Sequence, residues 1–450
     1  MKKIKNNIVH FIGIGGISMS GLAIYLHKNG YNVQGSDKNY SSNLKELQKK
    51  GIKIFIGHKY QNIANASICI YTSAIDDNNP ELVFAKKHCK LIERSELLGK
   101  ICKKFKKTIA VSGTHGKTTT TAMIAQILLV ANANPTVHIG GNFVPIGGNF
   151  RIGSDNFMVT EACEYKRSFL HINPEYLVIN NVELDHLDYY NNLQEIEQAF
   201  ITLANQTKNS IVINGDTPFL KTLIESNSSN QNKCITFGEM KHCQYRMVNL
   251  RKNNEIYTFD IEHNKNYLTS IKMKISGKYN ALNALASVAL CDNLSIPIDI
   301  IKKAIEAFSG VERRLEIIKK TNNLTIIKDY AHHPTEIKNV LHNIKNQNYE
   351  NFVVIFQPHT YTRTLGLFDD FLSAFDECDS LILLPTYSAR ELEILGGRSE
   401  DLYLALAQRK KNIYFAKNFS IAKRFLKKYT SKNTCILLLG AGDIEHLFDK

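Results

Sequence analysis

Gly113-Thr114-His115-Gly116-Lys117-Thr118 stands where an apolar run over 108–112 gives way to a helical stretch over 118–130. A buried strand that turns into a helix through two glycines is the setting of a phosphate loop. The glycines let backbone N–H groups point inward, and the helix N-terminus adds positive potential. In such a loop Lys117 reaches the terminal phosphates and Thr118 turns its hydroxyl toward Mg²⁺. The spacing departs from GxxxxGK[ST] at one place, because Val111 occupies the first glycine's position. The plain alternative is a glycine-rich turn beside an exposed lysine. Gly-Lys-Thr in this context argues for the phosphate role, so the chain reads as a nucleoside-triphosphate-using α/β enzyme.

Upstream, an apolar run over 8–12 ends in Gly13-Ile14-Gly15-Gly16-Ile17-Ser18, and a helix is expected over 19–29. A second strand closes on Ser36-Asp37. A helix near 43–50, a strand over 67–71 and a helix around 95–105 follow. Alternating units of this length predict an open parallel sheet covered by helices. The glycine loop is similar to the dinucleotide fingerprint, with Asp37 at the distance of a ribose hydroxyl, but Ser18 replaces the third Gly/Ala. By itself it is a seat for a diphosphate of unspecified kind, with a plain tight turn as the lesser alternative.

Downstream, strands are expected over 157–161, 176–180 and 210–214, short antiparallel strands between 234 and 275, and a helix over 280–290. After Ser309-Gly310 the alternation resumes, with strands over 325–328, 352–356, 380–384 and 434–439. At 450 residues the chain suits about three domains of roughly 150 residues each. The boundaries fall at 1–105, 106–311 and 312–450. These are a Rossmann-like N-terminal domain, a P-loop ATPase-like central domain with a mixed sheet, and a Rossmann-like C-terminal domain.

Composition narrows the function classes. The chain is 44% hydrophobic and 22% charged, ordinary values for a globular enzyme. No apolar run approaches the roughly 20 residues of a membrane span, so no membrane partner is expected. Met1-Lys2-Lys3 leads into the glycine loop rather than into a long apolar segment with a cleavage site, which predicts a cytoplasmic protein. Nine dispersed cysteines without a CxxC pair read as reduced, mostly buried thiols, not as a disulfide framework or a zinc site. The net charge of +14 comes from lysines spread among asparagines and isoleucines. With no basic tail and no RNA-binding aromatic motif, no nucleic-acid ligand is expected, and the charge suits anionic small substrates. A monomer or weak homodimer is the expected state.

Further polar groups fall at predicted strand ends, where ligand crevices of open α/β sheets lie. Glu161 ends one strand, and His186 in Asp185-His186 is placed at the end of the next. A carboxylate and an imidazole near a triphosphate can complete a Mg²⁺ shell together with Thr118. Residue type alone favours an ordinary surface or core histidine. Asp329-Tyr330-Ala331-His332-His333-Pro334 and Gln357-Pro358-His359-Thr360-Tyr361-Thr362-Arg363 follow two strands of the third segment.

These motifs, with Met19-Ser20-Gly21, Glu161-Ala162-Cys163-Glu164, Tyr279-Asn280-Ala281-Leu282-Asn283-Ala284 and Arg313-Arg314-Leu315-Glu316, in this order, resemble the Mur ligases. Those are ATP-dependent enzymes that add amino acids to the peptidoglycan precursor, and the resemblance covers essentially the whole chain. It implies that the N-terminal domain binds UDP-N-acetylmuramate, not NAD, with Gly13, Gly15, Gly16 and Ser18 at the diphosphate and Asp37, His58 and Ser73 toward the uridine. It implies ATP on Gly113, Thr114, His115, Gly116, Lys117, Thr118 and Thr119, with Asn280 and Asn283 near the adenine and Arg313 closing over the phosphates. Mg²⁺ would sit on Thr118, Glu161 and His186. Lys117, His186, Asp329 and His332 would carry the chemistry, and Arg363 with His332 would hold the amino acid. Siblings adding the second and third residues carry a modified lysine about a dozen residues past Asp185-His186. The stretch 195–201 has none, which points to the branch that joins L-alanine to the lactyl carboxylate. Tyr279 stands where many relatives have histidine. Rival readings are a ligase recycling murein peptides, a non-catalytic ATP-binding scaffold, and a dehydrogenase suggested by the first glycine loop.

Overall fold

The computed structural model describes residues 8–253, 256–345, 347, 349–389, 391–429 and 433–448, and Met1-Lys2-Lys3 lies outside them. Three sheets follow one another along the chain. The first comprises β1 (Ile8–Ile12), β2 (Asn32–Asp37), β3 (Lys53–Ile56), β4 (Ala66–Tyr71) and β5 (Lys90–Glu93) in the order β3-β2-β1-β4-β5. All its pairings are parallel. Its topological switch therefore falls at β1, whose carboxyl end carries the turn at Gly13 (φ +79°).

The central sheet has ten strands. They are β6 (Lys107–Ser112), β7 (Thr136–Phe143), β8 (Gly148–Arg151), β9 (Phe157–Glu161), β10 (Tyr176–Ile179), β11 (Ser210–Asn214), β12 (Cys234–Gly238), β13 (Tyr245–Asn253), β14 (Ile256–His263) and β15 (Asn266–Met273). Their order is β15-β14-β13-β12-β11-β10-β6-β9-β7-β8. The expectation of short antiparallel strands over 234–275 is corrected in two ways. β12 runs parallel to β11 and to β13, and only β13–β15 form an antiparallel meander, of eight- and nine-residue strands. Because β6 lies between β9 and β10, both neighbours deliver their carboxyl ends to the flanks of the phosphate loop.

The helix Lys117–Val130 is apolar on nearly every side. It packs between the sheet and the helices Lys278–Asn293 and Ile298–Ala307. Ile124, Ile127 and Leu128 are wholly buried there, each contributing about 1.5–3 kcal/mol of transfer free energy. The phosphate loop thus hangs from a rigid strand and a rigid helix.

The third sheet is β16 (Glu316–Lys320), β17 (Leu324–Asp329), β18 (Asn351–Phe356), β19 (Ser380–Leu383), β20 (Ile413–Phe415) and β21 (Thr434–Leu439), in the order β16-β17-β21-β18-β19-β20. Only β16 runs antiparallel to its neighbour. The architecture is α/β in three domains, with Rossmann-like sheets flanking a mixed central one. All nine cysteines are buried or half-buried. Among the described residues no helix is long and apolar enough to cross a membrane.

Candidate active site

Gly113 (φ +132°) and Gly116 (φ +81°) give the loop after β6 its shape. A Cβ on Gly116 would lie 2.5 Å from Asn283 Oδ1 and 2.9 Å from Asn180 Nδ2. Only glycine therefore lets the loop approach the helix Lys278–Asn293, where Asn280 and Asn283 are buried in the first turns. Lys117 opens its helix and folds back over the loop. Its Nζ donates to Gly113 O (2.5 Å), Thr114 O (3.1 Å) and both carboxylate oxygens of Glu164 (3.0 Å each). Burial would lower its pKa, but Glu164 beside it raises it to about 12, so it stays cationic. Burial pushes the Glu164 carboxyl up, and Lys117 and His186 more than reverse that, leaving it below the ordinary range.

Glu161 ends β9 one strand away, and its Oε1 accepts from Gly140 N–H at 2.6 Å. Burial raises it above the usual carboxylate range despite a hydrogen bond from Thr118 and the Lys117 charge, leaving an under-compensated carboxylate beside a hydroxyl. His186 is not at a strand end as expected. β10 stops at Ile179, and the chain runs seven residues further before His186 turns back with a left-handed backbone (φ +54°). That turn sets Nε2 at 3.5 Å from Glu164 Oε1. Thr118, Glu161 and His186 line one cavity of about 1050 Å³. The hydroxyl and carboxylate are the oxygen donors a hard cation takes, and the imidazole is a less usual third donor beside them.

The third domain supplies the opposite wall, including His332, Arg313 and Arg363. Arg363 is buried; its Nε donates to Asp185 Oδ1 at 3.0 Å, and its Nη2 lies 2.9 Å from the same oxygen in the ion pair. Its Nη1 donates to His359 O (2.6 Å) and Nδ1 (3.2 Å). Burial alone would raise the Asp185 carboxyl, but Arg363 holds it well below the ordinary range. His332 Nδ1 donates to Tyr330 O at 3.0 Å, and burial and the Arg363 charge lower the ring to about 3. Asp329 ends β17 with both oxygens occupied, by the N–H groups of Ala331 (2.7 Å) and Leu315 (2.8 Å), and burial raises it to about 6. Arg313 (φ +60°) lies over the Tyr330 ring, donates to Gly440 O and Gly442 O, and pairs with Glu445.

His115 faces away from this cavity. Its ring bridges Glu336 Oε1 (3.1 Å) and Glu183 Oε2 (3.3 Å), tying the phosphate loop to the helix Pro334–Lys345. Burial opposes its charge, but the two carboxylates raise it to about 10. His115, Glu183 and His333 offer ligand atoms within 4.8 Å of one another. Those atoms are already taken: His333 Nε2 donates to Leu184 O, and Glu183 accepts from His115 and Thr335. The group is an ion-pair hub. Behind it, a cavity of about 250 Å³ is lined by His115, Thr119, Asn280, Asn283, Tyr279 and Asp329. Two buried polar atoms on its wall, Asn180 Oδ1 and Tyr279 Oη, have no protein partner. A cleft beside a phosphate loop with unpaired polar groups fits a nucleoside.

The N-terminal candidates fall into separate groups. Asp37 accepts from Gly15 N–H (2.9 Å) and Lys38 N–H (2.8 Å), so it braces the glycine loop. His58 Nδ1 lies between Ser36 Oγ (3.1 Å) and Glu81 Oε2 (3.2 Å). Ser73 is exposed on the loop after β4, whose Ile75 approaches Gly13. Gly16 precedes the helix Ile17–Lys28, and Ser18 instead meets His138 of the central domain at 2.8 Å. Motif reasoning assigned no role to Glu164, Glu183 or Glu336. Glu164, three residues after Glu161 in the same motif, and Glu336, in the first turn of a Pro-initiated helix, carried a signal that could have found them.

Known proteins agree with this construction. The Mur ligase family catalytic domain matches residues 8–106, the Mur ligase middle domain residues 111–291, and the Mur ligase glutamate ligase domain residues 313–442. The chain belongs to the Mur ligase family. Among its relatives, the UDP-N-acetylmuramate–L-alanine ligase of Clostridium novyi (strain NT) is 41% identical, over 98% of this chain and 96% of that protein. The enzyme of the same name from Acetivibrio thermocellus is 41% identical over 97% and 93%. The solved UDP-N-acetylmuramate–alanine ligase of Thermotoga maritima superposes with a TM-score of 0.84 at 32% identity, over 98% of this chain and 96% of that one. A murein peptide ligase from Psychrobacter arcticus shares the fold (TM-score 0.73, 22% identity, 98% and 97% covered).

Proposed function

We propose that this chain joins L-alanine to the lactyl carboxylate of UDP-N-acetylmuramate at the expense of ATP, releasing ADP and phosphate, in peptidoglycan precursor synthesis. The observation that carries the reading is the meeting of Lys117, Glu161 and His186 of the central domain with His332 and Arg363 of the third on one cavity. The full-length relatives named as L-alanine ligases favour alanine over a murein peptide. The division of labour follows the three segments 1–105, 106–311 and 312–450. The first holds the UDP-sugar through Gly13–Ser18, with Asp37 bracing the loop and His58 and Ser73 toward the uridine. The second holds ATP, its adenine near Asn280 and Asn283, and the third holds the amino acid. The setting is the cytoplasm.

A carboxylate is a poor electrophile near neutral pH, so it is first converted to an acyl phosphate. Lys117 leaves Glu164 and moves onto the terminal phosphates, where its charge offsets that developing in transfer. Thr118, Glu161 and His186 would hold Mg²⁺, which would supply Lewis-acid neutralisation of the charge on the transferring phosphoryl group. Arg363 Nη2, whose neighbours Nε and Nη1 are spent on Asp185 and His359, is the donor left for the carboxylate of alanine. The neutral His332, held to Tyr330 O through Nδ1, presents Nε2 as a hydrogen-bond acceptor that orients the incoming amine. With its ring lowered to about 3, it positions that amine rather than taking its proton. Gathering three substrates in one orientation supplies the larger share of the rate, on the order of 7–11 kcal/mol. The Arg363–Asp185 and His115–Glu336 contacts hold the third domain over the site and keep water from the acyl phosphate. ADP release with UDP-N-acetylmuramate tests the reading. Stimulation by L-alanine and not by a murein tripeptide is expected, and stimulation by the tripeptide alone would refute it.

A further inference from the structure

A chain of four hydrogen bonds crosses from the N-terminal glycine loop to the strand that ends in Glu161. Arg94 Nη1 donates to Ser18 Oγ at 3.2 Å, and Ser18 Oγ meets His138 Nε2 at 2.8 Å. His138 Nδ1 meets Thr160 Oγ1 at 3.0 Å, and Thr160 Oγ1 donates to Glu161 O at 3.0 Å. The direction of every link is fixed by valence. Thr160 spends its single hydroxyl hydrogen on the Glu161 carbonyl, so it accepts from His138 Nδ1–H. His138 Nε2 then carries the lone pair and accepts from Ser18, which is free to donate because Arg94 donates to it. A neutral imidazole satisfies both ends, and burial with the nearby Arg94 charge lowers the ring to about 3.

The surroundings make the path stiff. His138 and Thr160 are 4% and 0% exposed and face each other in the parallel register of β7 and β9. Two residues past His138 on the same strand, Gly140 N–H holds the Glu161 carboxylate, and a Cβ on Gly140 would lie 2.9 Å from Glu161 Oε2. On the other side the helix Ile17–Lys28 is docked on the β7–β8 hairpin. A Cβ on Gly21 would lie 2.7 Å from Phe150 Cδ2, and the Asn149 side chain donates to Ile17 O. The nucleotide cleft and the sugar-phosphate loop are in different domains, and this strand is in direct contact with residues of both.

We infer that His138 is a positioning residue that couples occupancy of the Gly13–Ser18 loop to the placement of Glu161. An anionic diphosphate seated on the loop draws the Arg94 and Ser18 donors toward itself, and the strain passes through His138 and Thr160 to the end of β9. The cation-binding carboxylate is then better set for the triphosphate when the acceptor sugar is present, and by linkage the triphosphate favours the sugar equally. This rests on the reading of the loop as the UDP-sugar seat and of Glu161 as a metal ligand.

Calorimetry with the magnesium complex of a non-hydrolysable ATP analogue, with and without UDP-N-acetylmuramate, measures the coupling directly. In the native protein the sugar nucleotide should tighten binding of the analogue at least about 5-fold. Thr160→Val, isosteric and one link from His138, should keep each separate affinity within about 3-fold while the coupling falls below about 2-fold. His138→Leu should do the same, and His138→Gln, with an acceptor and a donor in one side chain, should recover part of it. If His138→Leu loses both separate affinities, Thr160→Val decides alone. Native-like coupling in Thr160→Val, or a native protein that binds both ligands without coupling, overturns the relay and leaves the reading of the sites standing. A native protein that binds neither ligand overturns the reading itself.

Discussion

Lys117 and Glu164 show how much of the site is a matter of single charges. Glu164 is almost wholly buried and depends on Lys117 and His186 for compensation. Lys117→Met should therefore do two separable things. It should reduce kcat by about 100-fold or more through loss of phosphate stabilisation. It should also destabilise the fold by on the order of 3 kcal/mol, because an uncompensated carboxylate is left in the interior. Adding Glu164→Gln should restore most of the stability, measured by urea denaturation, and none of the activity. Stability unchanged in the single variant would mean that the pair is not formed in solution. At this scale the sequence was legible wherever a motif encoded its own neighbourhood, as in Gly116-Lys117-Thr118. Glu164 stands in a motif with Glu161, but its partners lie 47 and 22 positions away, so the motif marks the residue without showing that it is buried against Lys117 and His186.

The elements that carry the site were readable to different degrees. β6, β9, β11, β18 and β21 are continuous apolar runs ending in glycine or polar residues, and their pattern suffices. β7 was invisible, since His138, Gly140, Gly141 and Asn142 break its pattern, yet each meets a specific partner once folded. β16 is an exposed edge strand rich in charge. His186 was misplaced because a strand was assumed to reach it, whereas coil after β10 delivers it. The helix Pro334–Lys345 presents Glu336 to His115, and this contact has a defined pH range. The His115 pKa is raised from 6.5 to about 10, so its stabilisation is fully present below about 6.5 and is lost as pH rises through about 10. Glu336 is held well below its ordinary value by His115, so its share survives above about 4.5 and fails only in stronger acid. The melting-temperature difference between native protein and His115→Gln should be largest between about pH 4.5 and 6.5, decline above that, and vanish above about pH 10. A difference independent of pH across that range would contradict the imidazolium assignment.

Across the whole molecule, the three sheets were foreseeable from βα alternation, but the way they meet was not. Asp185 and Arg363 are 178 residues apart in sequence, and His115 and Glu336 are 221 apart. Such pairs emerge only when domains close, which is why motif reasoning assigned Arg363 to the amino acid and missed its grip on Asp185. Asp185→Asn removes the charge that Arg363 grips across the interface. It should lower kcat/KM for alanine by about 10–100-fold and increase the radius of gyration in X-ray scattering with all substrates present. An unchanged radius would show that closure does not depend on this pair.

The central claim is that the phosphate loop activates the lactyl carboxylate itself, and oxygen transfer reports on that step directly. With UDP-N-acetylmuramate labelled with ¹⁸O in its lactyl carboxylate, L-alanine and ATP, the released phosphate should carry one ¹⁸O for each ADP formed. Alanine-dependent ADP formation with unlabelled phosphate would contradict the acyl-phosphate account and, with it, the roles of Lys117, Glu161 and His186 in forming that intermediate.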